Sequence, residues 1–151
     1  MSKHPLITRI ETLASEASER NLFLTETAQA INDQFPHYTW VGFYFLHEGK
    51  LHIGPYIGKP TPHTVIDLNR GICGAAVSQE KTIVVDDVNA DPRYLACSLE
   101  TRSEIVVPIC AGGKIIGELD IDSDRTAAFS EDDRILMEQA AVLIGDTLER
   151  L

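Results

Sequence analysis

The sequence predicts an α+β domain built as a central, mainly antiparallel sheet of about six strands with the N- and C-terminal helices packed on one face. Three observations carry this reading. Apolar residues recur at three- and four-residue spacing at both ends of the chain. The middle is a series of short segments rich in β-branched and aromatic residues. Two of the joints between those segments, HEGK and Ala-Gly-Gly, are tight-turn sequences that join consecutive strands as hairpins.

Each element follows from local pattern. Leu6, Ile10, Leu13 and Ala17 form one helical stripe from about Leu6 to Glu19, with Pro5 in the first turn. Asn21 is expected to interrupt it, and a second stretch from Glu26 to Phe35 carries Ala28, Ile31 and Phe35 on one side before Pro36. TWVGFYFL and LHIGPYIG, either side of HEGK, read as a hairpin. After the loop at Pro60 to Pro62 come a short strand, TVIDL, a short helix, GICGAAVSQ, and a strand, TIVVDDV. NADPRYLACSLETR reads as a long, partly irregular excursion, the kind of segment that often carries function. SEIVVPIC and KIIGELDIDS form the last hairpin. Ser130, followed by Glu131, Asp132 and Asp133, resembles a capping box, and Ile135, Leu136, Ala140, Leu143, Ile144 and Leu148 give the closing helix its stripe. The expected organisation is a single domain over 1–151: a helical segment of about 1–36, a sheet core of about 38–125 and a closing helix of about 130–150.

Composition narrows the function. At 44% hydrophobic and 24% charged residues the chain is neither disordered nor fibrous. A net charge of −10, with Lys and Arg scattered, disfavours phosphate backbones and anionic lipid, so no nucleic-acid and no membrane partner is expected. No apolar run approaches the roughly 18 residues of a membrane span, and the opening residues lack the apolar stretch of a secretory leader. A cytoplasmic location is the expectation. Three widely spaced cysteines, an odd number, argue against a disulfide framework. Without a CxxC or HxxxH pattern, neither a metal nor a cofactor is expected.

The residues that could carry chemistry are few. Asp120 and Asp122, two apart on a strand, share a face about 7 Å apart, opposite Leu119 and Ile121. They form either a solvated acidic face or, joined by Glu104 from the preceding strand, a carboxylate cluster suited to an ammonium group or to general-acid chemistry. Cys73, between two glycines at a helix start, is either a packed small residue or a thiol made reactive by helix-terminal amides. Cys97, on the excursion, is the better candidate for a reactive thiol, whereas Cys110, after the run Ile105 to Ile109, is expected to be a buried spectator. Trp40 and Tyr44, four apart on a strand, either wall a pocket or pack as core. His63, between prolines, is expected to be solvated.

Taken together, Trp40-Val41-Gly42-Phe43-Tyr44, Gly54-Pro55-Tyr56-Ile57-Gly58-Lys59, Arg70-Gly71-Ile72-Cys73-Gly74, Leu95-Ala96-Cys97, Ser103-Glu104-Ile105-Val106-Val107-Pro108 and Leu119-Asp120-Ile121-Asp122-Ser123 resemble a GAF domain, and within that fold the free methionine-(R)-sulfoxide reductases. The resemblance runs in order from about Thr39 to the C-terminus. It implies that free methionine-(R)-S-oxide is the substrate, that Cys97 is the attacking thiolate and Cys73 its matched partner cysteine, and that thioredoxin is the reductant. It also implies that Glu104, Asp120 and Asp122 hold the substrate's polar groups beside an aromatic wall of Trp40 and Tyr44. The family's usual third cysteine, ten residues before Cys73, is His63 here, and the aspartate after its catalytic cysteine is Ser98. DPRYLA and ETRSEI also resemble sensory GAF domains, so a non-catalytic binding module for a small cationic or zwitterionic metabolite is the alternative. The terminal stripes, with the GAF resemblance, suggest a homodimer.

Overall fold

A computed structural model of the chain describes residues 3–95 and 100–151. Helix α1 (Pro5–Glu16) starts with a proline in its first turn, and His4 caps it by accepting from the Leu6 amide at 3.0 Å. Helix α2 (Arg20–Gln34) begins earlier than expected. Glu19 accepts from the amides of Asn21 and Leu22, so Asn21 lies inside the first turn of α2, and the break between the two helices falls before it, at residues 17–19.

The sheet contains β1 (Tyr38–His47), β2 (Lys50–Ile57), β3 (Val65–Asp67), β4 (Ile83–Val85), β5 (Ser103–Ala111) and β6 (Lys114–Ser123), all antiparallel, in the spatial order β3-β2-β1-β6-β5-β4. The β1–β2 and β5–β6 hairpins turn through pairs of left-handed residues, Glu48–Gly49 and Gly112–Gly113. Helix α3 (Gly71–Ser78) lies between β3 and β4 in the chain, and α4 (Glu131–Arg150) closes the fold behind the Ser130–Asp133 capping box.

Strand alternation divides the sheet chemically. Val41 and Phe43 of β1, Ile105, Val107 and Ile109 of β5, and Leu119 and Ile121 of β6 meet Leu6, Ile10, Leu24, Ile31, Met137, Ala140 and Ile144 of α1, α2 and α4 in the larger core. The terminal helices therefore cover one face, and most of their apolar stripes, which suggested a homodimer, pack within the chain itself, with Ile135 left 43% exposed. The opposite face is covered too: Ile72, Cys73, Ala76 and Val77 of α3 pack with Trp40, Tyr44, Ile83, Val85 and Val106. No helix among the described residues is long and apolar enough to cross a membrane.

Helix α4 comes close to β5 at Gly145, where an added Cβ would lie 1.9 Å from the Cys110 carbonyl oxygen. Gly145→Ala must push α4 off β5. It is expected to cost about 1–3 kcal/mol, read as a lower urea midpoint, despite alanine's better helix propensity. An unchanged or higher midpoint would show that α4 shifts freely.

Candidate functional site

The register of three strands assembles the site. On β6, Glu118, Asp120 and Asp122 point to the α3 side, and on β1 they lie opposite Tyr44, Gly42 and Trp40 respectively. On β5, Glu104 pairs with Asp122 and Val106 with Asp120. The solvated acidic face is thereby excluded, because Glu104, Glu118, Asp120 and Asp122 are 5%, 0%, 6% and 3% exposed. The leucine and isoleucine between them do face the larger core, as expected; the other side is also interior because α3 covers it.

Trp40 and Tyr44 lie on this face with ring centroids 6.3 Å apart, and Tyr56 stacks on Trp40 at 5.2 Å. The indole N–H donates to the Lys59 carbonyl, and the Tyr44 hydroxyl donates to the His63 carbonyl at 2.7 Å, tying the wall to the loop after β2. Gly42 provides the room: a Cβ there would meet the Trp40 ring at 2.5 Å and Tyr56 Cβ at 2.6 Å. Gly42→Ala is expected to displace the indole and to lower stability by about 1–3 kcal/mol. Trp40 is the only tryptophan, so its emission reports the shift directly; an unchanged spectrum and midpoint would contradict this packing.

Cys73 stands third in α3, where helix-terminal amides were a reason to expect a depressed pKa. The opposite holds. Burial pushes the thiol well above its ordinary value, and the nearby charges of Asp120, Glu118 and Glu104 push it further. The sulfur donates to Asp120 Oδ2 at 3.4 Å. Glu118, fully buried, is also raised well above the carboxylate range, first by burial and then by the charge of Asp120. Asp120 is raised by burial, which outweighs its hydrogen bonds from Glu104 and Cys73. Burial thus favours the neutral, proton-bearing form of Glu118 and Asp120.

Two hollows meet this row of acids. An inner cavity of about 20 Å³ is lined by Tyr44, His63, Ile72, Cys73, Glu104 and Asp120 among others, and an outer pocket of about 390 Å³ by Trp40, Lys59, Glu100, Thr101 and Asp122 among others. His63 is half-buried against the inner cavity rather than solvated. Cys97 lies outside the described residues. Leu95, two residues before it in the chain, leans on Gly71, whose φ is +71° and where an added Cβ would sit 2.8 Å from Leu95 Cδ1. Cys110 is exposed, contrary to expectation. The register shifts between Ile109 and Cys110, and Cys110 lines an open groove with Val142 and Asp146 of α4. Glu118 was legible only as part of the GELDIDS alternation; its place two residues before Asp120 was the signal that put it on the same face.

A sheet covered by terminal helices on one side, with a walled polar cluster under a short helix on the other, is the architecture of a GAF domain. The GAF domain family model matches residues 19–148, and the chain belongs to that family. It is 39% identical over 142 residues to GAF domain-containing protein A of Dictyostelium discoideum, spanning 93% of this chain and 89% of that one. It is 41% identical over 110 residues to the free methionine-R-sulfoxide reductase of Saccharomyces cerevisiae, spanning 70% of this chain and 61% of that one. The X-ray structure of the free methionine-R-sulfoxide reductase of Neisseria meningitidis in complex with its substrate superposes with a TM-score of 0.90 at 32% identity, covering 99% of this chain and 93% of that one. Free methionine-R-sulfoxide reductases are thus among its homologues, and this supports an oxidoreductase.

Proposed function

We propose that this protein reduces free methionine-(R)-S-oxide to methionine, with Cys97 as nucleophile and thioredoxin as the final reductant. The observation that carries the proposal is the buried row Glu118, Asp120, Asp122 with Glu104, walled by Trp40 and Tyr44 and reaching from the outer pocket to Cys73. In this reading a carboxylate of the row takes the substrate's ammonium group and a protonated carboxyl donates to the sulfoxide oxygen. The inner cavity holds about one water, so a methionine-sized ligand lies mainly in the outer pocket or parts the walls between the two.

The Cys97 thiolate attacks the sulfoxide sulfur. The S–O bond breaks, the oxygen ends on Cys97 as a sulfenic acid with a proton from the cluster, and two electrons pass to the substrate sulfur, which leaves as the thioether. A second thiol then displaces the sulfenic oxygen as water and forms a disulfide, which thioredoxin reduces. Cys73 is the matched thiol within the chain, and Asp120 Oδ2, which accepts its hydrogen bond, is placed to take its proton. Its raised pKa makes that a slow nucleophile until the proton moves, so an external thiol acting directly on Cys97 is the competing route.

The test is NADPH consumption coupled through thioredoxin and its reductase, with free methionine-(R)-S-oxide, the S epimer and a peptide-bound sulfoxide. Turnover of the free R epimer alone is expected. No turnover with thioredoxin or any dithiol, together with retained binding of a zwitterionic ligand, would replace the reductase with a binding module.

A further inference from the structure

The acid cluster has a capacity that sulfoxide reduction does not use. The Cys73 sulfur and one carboxylate oxygen from each of Glu104 and Asp120 lie within 4.8 Å of one another, and all three residues are buried. Around a tetrahedral zinc ion, Zn–S of about 2.3 Å and Zn–O of about 2.0–2.2 Å set a sulfur-to-oxygen edge of about 3.5 Å. The distance from Cys73 Sγ to Asp120 Oδ2 is 3.4 Å, so that edge is already formed. The Glu104 oxygen has to draw in by no more than about 1.5 Å to complete the face.

A second observation points to a cation. Glu118 is 0% exposed and, apart from the Cys73 thiol, neither of its carboxylate oxygens has a hydrogen-bond partner; one oxygen of Asp120 has none. Glu118 adjoins two of the three ligands, the Cys73 thiol, with which it shares a hydrogen bond, and Asp120, whose charge acts on it. A buried carboxyl without a partner is costly, and a bound cation is one of the few groups that would satisfy it.

We propose that Cys73, Glu104 and Asp120, with Glu118 closing the set, form a site for a divalent transition-metal cation, zinc above all. Four donors suit a tetrahedral ion, whereas calcium and magnesium want six or more oxygens, and a thiolate ligand selects for the softer metals. On coordination the Cys73 proton leaves to solvent and the sulfur bonds the metal as thiolate, so a metal-loaded chain cannot use Cys73 in a disulfide. The ion and a ligand's ammonium group would occupy the same carboxylates and exclude one another. The site follows from the geometry of the cluster and stands whether or not the chain reduces sulfoxides.

The experiment is a cobalt(II) titration of the reduced, chelator-stripped full chain with no sulfoxide present, followed by zinc competition. Expected are one cobalt per chain, a thiolate-to-cobalt charge-transfer band, the intense visible absorption of a tetrahedral site, and displacement by one equivalent of zinc. Cys73→Ser should abolish the charge-transfer band, and Asp120→Asn should weaken binding by about tenfold or more. Glu118→Gln keeps the shape of the side chain and should also weaken binding, which guards against misfolding of the other variants. Cys97→Ser and Cys110→Ser should keep the band, as should His47→Ala, which removes the exposed ring of the His47–His52 pair whose centroids are 5.6 Å apart. Absence of the band in wild type, its survival in Cys73→Ser, or its loss in Cys97→Ser or Cys110→Ser would overturn the site.

Discussion

Replacing Cys97 by serine is expected to abolish turnover of free methionine-(R)-S-oxide, by about a thousandfold or more, because a hydroxyl neither ionises at neutral pH nor accepts the sulfoxide oxygen as a reducible product. The acid row and the Trp40–Tyr44 wall lie on β1, β5 and β6, away from position 97 in the chain, so ligand occupancy should survive the change. Tryptophan emission on adding ligand is the readout for that. Cys73→Ser supplies the contrast. It leaves the nucleophile and should permit one turnover, with the sulfenic acid on Cys97 trapped by dimedone and found by mass spectrometry, even where multiple turnovers slow. Undiminished turnover in Cys97→Ser would remove Cys97 as nucleophile, and loss of the first turnover in Cys73→Ser would give Cys73 a larger part than resolution.

The second large effect is on stability against pH. Glu118 and Asp120 hold their protons to higher pH in the folded chain than in the unfolded one, where a carboxyl titrates near pH 4. A carboxyl of raised folded pKa contributes stability that is present below the unfolded value and is lost as pH rises through the folded one. Across that window each such group lowers the unfolding free energy by up to about 1.4 kcal/mol per pH unit. The urea midpoint of the wild type is therefore expected to fall from about pH 5 towards pH 8. Glu118→Gln carries no ionisable group there, so its profile should be flatter and its advantage over the wild type should grow with pH. The overall net charge of −10 also favours lower pH, but the variant shares nearly all of it, so the difference between the two curves isolates position 118. Parallel curves over this range would mean that Glu118 is not held protonated.

Much of this was legible in the sequence because strand alternation is a local signal. Leu119 and Ile121 facing one core and Asp120 and Asp122 the opposite side follow from a period of two, and the Trp40–Tyr44 pairing follows from the same rule. What lies on the opposite side is not local. Whether those aspartates meet water or α3 depends on how an eight-residue helix between β3 and β4 folds back over the sheet, and nothing in GICGAAVS encodes that docking by itself. The direction of the Cys73 shift was hidden for the same reason: helix position is read from the chain, whereas burial against three carboxyls is not. Cys110 was misread because an apolar run ends in a register shift that turns its last residue outward. Asn21 was misread because the Glu19 carboxylate, two residues earlier, already supplied the cap.

The outer strands of the sheet have a consequence for how the protein behaves when crowded. Both β3 and β4 are three residues long and pair only with Lys50–His52 of β2 and Glu104–Val106 of β5, whereas β1 and β6 are paired on both sides. A neighbouring molecule that meets either border finds a short strand followed by a stretch of the next one, not one long flat edge. The long apolar segment TWVGFYFL is thus kept in the middle of the sheet, paired on both sides and away from the borders where a foreign strand could add.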